Sequence, residues 1–97
     1  MSTGQPEARV TALSAKLESD LLTLYRSPVL SGEQLRQAMG YRTMGALRQA
    51  INQHHFPVRL FTMAKRRGRF VLVADVARWL AKQSIENSFN TTEEDEQ

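Results

Sequence analysis

Residues 30–57 read LSGEQLRQAMGYRTMGALRQAINQHHFP, and the fold turns on how this stretch is divided. Ser31 stands immediately before an apolar-periodic run, and Gln34, three residues later, completes the pattern of a capping box. Leu35, Ala38 and Met39 supply an inner face, and Gly40 follows where a left-handed residue closes a helix. After Tyr41-Arg42, Thr43 is placed to cap a second helix over residues 44–54. Met44, Leu47 and Ile51 share one side of it, and Pro57 stops it. Two short helices across a tight glycine-containing turn make a helix-turn-helix pattern.

Toward the C-terminus the period changes. VRLF at 58–61 and RFVLV at 69–73 are rich in β-branched and aromatic residues, and the basic turn around Gly68 separates them, which predicts a two-stranded hairpin. Ala74-Asp75 then offers an N-cap, with Asp75 as the capping side chain. VARWLAKQSI runs on as a closing helix with Val76, Trp79 and Leu80 facing inward, and Phe70 and Trp79 are read as core residues. Residues 86–97 are polar and acidic and are expected to be a disordered tail, either simply solvated or competing with a polyanion for the basic face.

Toward the N-terminus, residues 1–9 are small and polar and are expected to be disordered. Residues 10–26 form an amphipathic helix whose Val10, Leu13, Leu17, Leu21 and Leu24 recur at one-face spacing, with Leu22 widening the stripe. Two readings of this helix stand side by side. It folds back onto the domain as a core element, or its leucines Leu13, Leu17, Leu21 and Leu24 pair with a second copy; homodimerisation is the preferred expectation, because paired recognition helices lengthen the site read. The fold class expected is mainly α with a small β-hairpin. A winged helix-turn-helix domain over residues 27–85 follows the amphipathic helix.

Composition narrows the function. Ninety-seven residues with 41% hydrophobic content suffice for one small domain with a modest core. Cysteine is absent, which excludes disulfides, thiolate nucleophiles and cysteine-based zinc sites and suits a reducing compartment. No apolar run approaches the roughly 18 to 20 residues of a membrane span, and the first thirty residues hold no basic segment followed by an apolar one. No membrane association and a cytoplasmic location are therefore expected.

The net charge of +3 conceals a strong asymmetry. Residues 26–82 carry eleven cations (Arg26, Arg36, Arg42, Arg48, Arg59, Lys65, Arg66, Arg67, Arg69, Arg78 and Lys82) against only Glu33 and Asp75. Residues 83–97 carry Glu86, Glu93, Glu94, Asp95 and Glu96 with no cation. Nine of the eleven central cations are arginine, whose planar fork fits phosphate and guanine edges, so a nucleic acid is the partner this distribution suggests.

Helical geometry selects the residues that would touch it. With Leu47 and Ile51 inward, Gly45, Gln49 and Asn52 lie on the opposite face with Arg42 and Arg48 at its edges. Gln and Asn can pair bidentately with adenine and Arg with guanine in the major groove. Lys65, Arg66, Arg67 and Arg69 crowd the hairpin tip, where cations contact phosphate or enter a narrow minor groove. Exposed amides at the start of the second helix, where Thr43 caps, also favour a phosphate.

Other chemistry finds little support. His54-His55 are adjacent and lack a partner at helical spacing, so no metal site is expected. No nucleophile-base set, paired carboxylates or phosphate loop occurs, which points away from an enzyme, and neither a cofactor nor a small-molecule ligand is evident.

Taken in order, Leu30-Ser31, Met39-Gly40, Thr43, Pro57, the basic Lys65 to Arg69 stretch, Asp75 and Trp79-Leu80 resemble the winged helix-turn-helix of the excisionase or AlpA type, related to the DNA-binding half of MerR regulators. The likeness covers about half the chain. It implies a small double-stranded DNA-binding protein, acting as a transcriptional regulator or as a recombination directionality factor of bacteria, phages or mobile elements. Two departures stand out: VRLFTM after Pro57 is longer and more apolar than the usual link, and the leading helix is an addition to the minimal unit. The alternative function is a protein-interaction adaptor that binds its partner through the leucine-striped helix.

Overall fold

The computed structural model describes residues 6–87. The described residues form four helices and a two-stranded antiparallel sheet, in the order α1 (Pro6–Tyr25), β1 (Val29–Leu30), α2 (Gly32–Met39), α3 (Met44–Asn52), β2 (Val71–Leu72) and α4 (Val73–Glu86).

Helix α1 begins at Pro6, so residues 6–9, expected to be disordered, are helical. Proline suits a first helical position because its fixed φ is already helical and its missing N–H is one that would have no partner; Glu7 in the first turn complements the helix dipole. Residues 1–5 lie outside the described part, as do residues 88–97 of the expected acidic tail; Glu86, assigned to that tail, is the last residue of α4.

The turn between α2 and α3 follows its local chemistry. Gly40 takes φ 85, and its N–H with that of Tyr41 returns to the Arg36 carbonyl at 3.0 and 3.1 Å, which closes α2 as glycine at that position allows. Thr43 Oγ1 accepts the Ala46 N–H at 2.9 Å and starts α3. The capping box expected at Ser31 does not form: Ser31 has the extended conformation of a cap, but its side chain makes no cap bond. Helix α3 ends two residues before the expected position. His54 adopts φ 61, and the His55 N–H reaches back to the Ala50 carbonyl at 2.8 Å, so a histidine holds the left-handed position usually given to glycine.

The sheet differs from the expected hairpin. Val71–Leu72 pairs with Val29–Leu30, in the register Leu30↔Val71 and Val29↔Leu72, while the hairpin itself reduces to one bridge between Phe61 and Phe70. Burial explains the choice. Leu30 and Val71 are both fully buried, so pairing β2 with β1 places two apolar side chains at the centre of the core, each contributing about 1.5 to 3 kcal/mol by its removal from water. Continued in the register of the Phe61–Phe70 bridge, the outer limb would set only half-buried Leu60 against Val71 and exposed Arg59 against Leu72. Adjacent residues Phe70 and Val71 pair with different neighbours, so the returning segment lies between β1 and Phe61.

Helix α4 starts at Val73 with Leu72 at the cap, which moves Asp75 from the expected cap into the first turn. There its charge still opposes the helix dipole favourably. Val73, Val76, Ala77 and Ala81 are buried, whereas Trp79 and Leu80 are half-buried and pack against the core formed by Leu30, Leu35, Leu47, Val58, Val71, Val73 and Val76. Helix α1 packs along α4, and Glu7 and Val10 share a small cleft with Arg78, Lys82 and Glu86, so the two helices run antiparallel. Val10 is buried and Leu21 and Tyr25 pack against the core, so α1 is an integral layer of the fold. Leu13 and Leu17 are half-buried, whereas Leu24 is 68% exposed.

Candidate nucleic-acid interface

Helix α3 is positioned by three constraints: Thr43 caps its start, Arg36 fixes the turn before it, and Leu47 sinks into the core. With Leu47 and half-buried Met44 and Ile51 inward, Gly45, Arg48, Gln49 and Asn52 are all exposed, and Arg42 and Thr43 are exposed at the start of the helix. A Cβ added at Gly45 would meet only Thr43 Oγ1, at 3.7 Å, an ordinary contact. Nothing inside the fold requires glycine there.

The basic loop, residues 62–69, is anchored at its base by the reciprocal backbone bonds of Phe61 and Phe70, at 2.9 and 2.8 Å. A turn from Met63 to Arg66 closes at 3.1 Å with Lys65 at φ 64. Lys65, Arg66, Arg67 and Arg69 are exposed. They are not equivalent: the Arg66 guanidinium lies 5.3 Å from the Phe70 ring centroid, held by a cation–π contact, and Arg59 lies 5.9 Å from that of Phe61. Arg69 instead reaches the surface of α3. It lines one shallow cleft with Arg48, Ile51 and Asn52, and an adjoining one with Ile51, Asn52, His54, Phe56 and Leu60.

The structure therefore brings Arg48, Asn52 and Arg69 together, with Gly45 and Gln49 elsewhere on the same helix. The four leucines of α1 belong to another part of the molecule, on the helix packed against α4. Among the described residues, ion pairs join Lys16 to Asp20, Arg36 to Glu33 and Arg59 to Asp75. Arg42, Arg48, Lys65, Arg66, Arg67 and Arg69 have no carboxylate within 4.0 Å there. An unneutralised cluster of this kind favours an anionic partner.

Two residues were missed in the sequence. Arg36 donates through Nη1 to the carbonyls of Tyr41, at 2.8 Å, and Arg42, at 3.3 Å, while its Nε donates to Glu33 Oε1 at 2.9 Å. The Arg36 hydrogen bond to Glu33, helped by the guanidinium charge, holds the Glu33 carboxyl below the ordinary value of 4.5. An arginine three residues after a glutamate signals the ion pair, but not the grip on the turn. Arg59, at 4.0 Å from Asp75 and over Phe61, ties the outer limb to α4.

Among the described residues no group of three or more His, Cys, Asp or Glu is placed to hold a metal ion, and no helix is long and apolar enough to cross a membrane. Comparison with family models, with curated proteins and with solved structures finds no match to this chain.

Proposed function

We propose that this chain is a sequence-specific double-stranded DNA-binding protein, a non-enzymatic transcriptional regulator or excision factor with the winged helix-turn-helix arrangement of the excisionase type. In this reading α3 enters the major groove with Gly45, Arg48, Gln49 and Asn52 outward, and the basic loop is the wing, whose Lys65, Arg67 and Arg69 meet phosphates or a narrow minor groove. The observation that carries it is the junction of these two elements: a polar, exposed helix face meets an arginine-rich loop at Arg69, with no carboxylate lining the cleft they share. A metal or cofactor has no part in it.

Two copies bound side by side would extend the site. Leu21 already packs in the core, so pairing through α1 would use Leu24 and the adjacent flank of Leu13 and Leu17. Selection of duplexes from a random pool, followed by measurement of complex mass, tests both parts. An enriched motif establishes specific binding, and a palindromic motif with a doubled mass establishes pairing. Absence of enrichment, with binding lost at modest salt, favours the adaptor instead.

A further inference from the structure

We propose that Arg48, Asn52 and Arg69 together form a seat for a single phosphate of the DNA backbone, an inference that rests on the DNA-binding reading above. It reassigns two residues of α3 from reading bases to fixing register.

One cleft between α3 and the basic loop is lined by Arg48, Ile51, Asn52 and Arg69, and the adjoining one shares the last three and adds His54, Phe56 and Leu60. The polar residues of the first cleft are thus two arginines and one asparagine, and its remaining wall is the half-buried Ile51. Two cations lining one small concavity repel each other unless an anion separates them. A phosphate accepts the forked donors of an arginine and has oxygens to spare for a second arginine and an amide N–H. A base edge fits less well. Guanine offers one O6/N7 pair, which satisfies a single arginine, and adenine adds an exocyclic donor that would face a cation.

Helix geometry separates this group from the other exposed residues. At about 100° per residue, Asn52 follows Arg48 by about 40° around the axis and Gln49 lies about 60° further on, away from Ile51 and Arg69. Gly45 shares Asn52's side of the axis but lies about two turns nearer the helix start than Asn52 and about one turn nearer than Arg48. Arg42, Gly45 and Gln49 are then left to face the bases, while the end of α3 and the root of the loop grip the strand between them. The cleft would couple the two DNA-contacting elements through one shared phosphate.

The test uses the full chain and a duplex recovered by selection. Arg48→Ala, Asn52→Ala and Arg69→Ala are measured against that duplex, against a panel carrying every single-base change, and against duplexes with one phosphate replaced by neutral methylphosphonate. All three residues are exposed, and circular dichroism confirms that each variant folds. The seat predicts that each variant loses affinity by the same factor across the whole base panel. It also predicts that the salt slope falls by about one in total when both arginines are removed, and by less than that in either single arginine variant, because the two share one phosphate. The Arg48→Ala/Arg69→Ala double variant loses less than the product of the single losses, and at one methylphosphonate position neither arginine variant costs anything further. A loss confined to one base position in the Arg48 or Asn52 variant overturns the seat while leaving DNA binding intact. Failure of the unmodified chain to bind any duplex overturns the DNA reading itself, and the seat falls with it.

Discussion

Arg36 on α2 donates through Nη1 to the carbonyl of Tyr41 at 2.8 Å, so the turn that aims α3 is held from outside the turn. The Tyr41 N–H returns the favour to the Arg36 carbonyl at 3.1 Å. Arg36→Ala is therefore expected to lower the thermal midpoint and, more tellingly, to speed amide exchange at Tyr41. Arg36→Lys keeps the charge but loses the fork, and should rescue only part of the protection. Glu33 adds a pH dependence. Its folded carboxyl sits below the ordinary value of 4.5, so its stabilisation is fully present above pH 4.5 and is lost as pH falls through the folded value. The stability difference between the unmodified chain and Glu33→Gln should shrink in that acid range, and a difference constant with pH would refute the pairing.

Thr43 makes the one side-chain cap on α3, through Oγ1 to the Ala46 N–H at 2.9 Å. Thr43→Ala should cost about 1 kcal/mol of stability and Thr43→Ser almost none. Urea unfolding followed by the fluorescence of Trp79, the only tryptophan, measures both. If Thr43 also guides a phosphate to the helix start, the alanine variant loses DNA affinity beyond what its unfolded fraction explains.

The parts of this fold that can be read from the chain are those with local causes. Gly40, Thr43 and the Leu35 and Leu47 positions each follow from chemistry within one helical turn, and each stands where periodicity and capping place it. The sheet has a distant cause. Two residues, Val29 and Leu30, find partners across both helices and the whole basic loop, and a two-residue strand carries no period to detect. The same holds for the site. The exposed face of α3 is visible in sequence because Leu47 and Ile51 orient it, whereas the approach of Arg69 to Arg48 and Asn52 depends on a loop path set by the Phe61–Phe70 bridge. Helix α1 shows a further limit. A leucine stripe states that a face will be covered, and only the packing of Leu21 and Val10 states that α4's side of the molecule covers it.

His54 is exposed at φ 61, a conformation in which its Cβ crowds the backbone. His54→Gly should relieve that strain and stabilise the chain by about 1 kcal/mol, less whatever the freer unfolded chain takes back. A β-branched replacement, His54→Val, should destabilise it by about 1 to 2 kcal/mol. Urea midpoints order the three chains Gly, His, Val; any other order would show that the end of α3 is held by something other than the His55 to Ala50 bond.

Gly45 poses the sharpest opposition between stability and function. It lies in the exposed first turn of α3, leaves room for a Cβ in ordinary contact with Thr43 Oγ1, and lacks the positive φ that would demand glycine. A glycine inside a helix costs about 0.5 to 1 kcal/mol relative to alanine, so Gly45→Ala should raise the unfolding midpoint by that amount. The cost has a reason if the helix start must come close to a duplex, where an added methyl would hold it off. The same variant should then bind the selected duplex more weakly, with Gly45→Val weaker again, while the salt slope stays unchanged because no charge has moved. Stability and affinity moving in opposite directions would place Gly45 at the contact; a stabilised variant that binds as tightly as the unmodified chain would remove it from the interface.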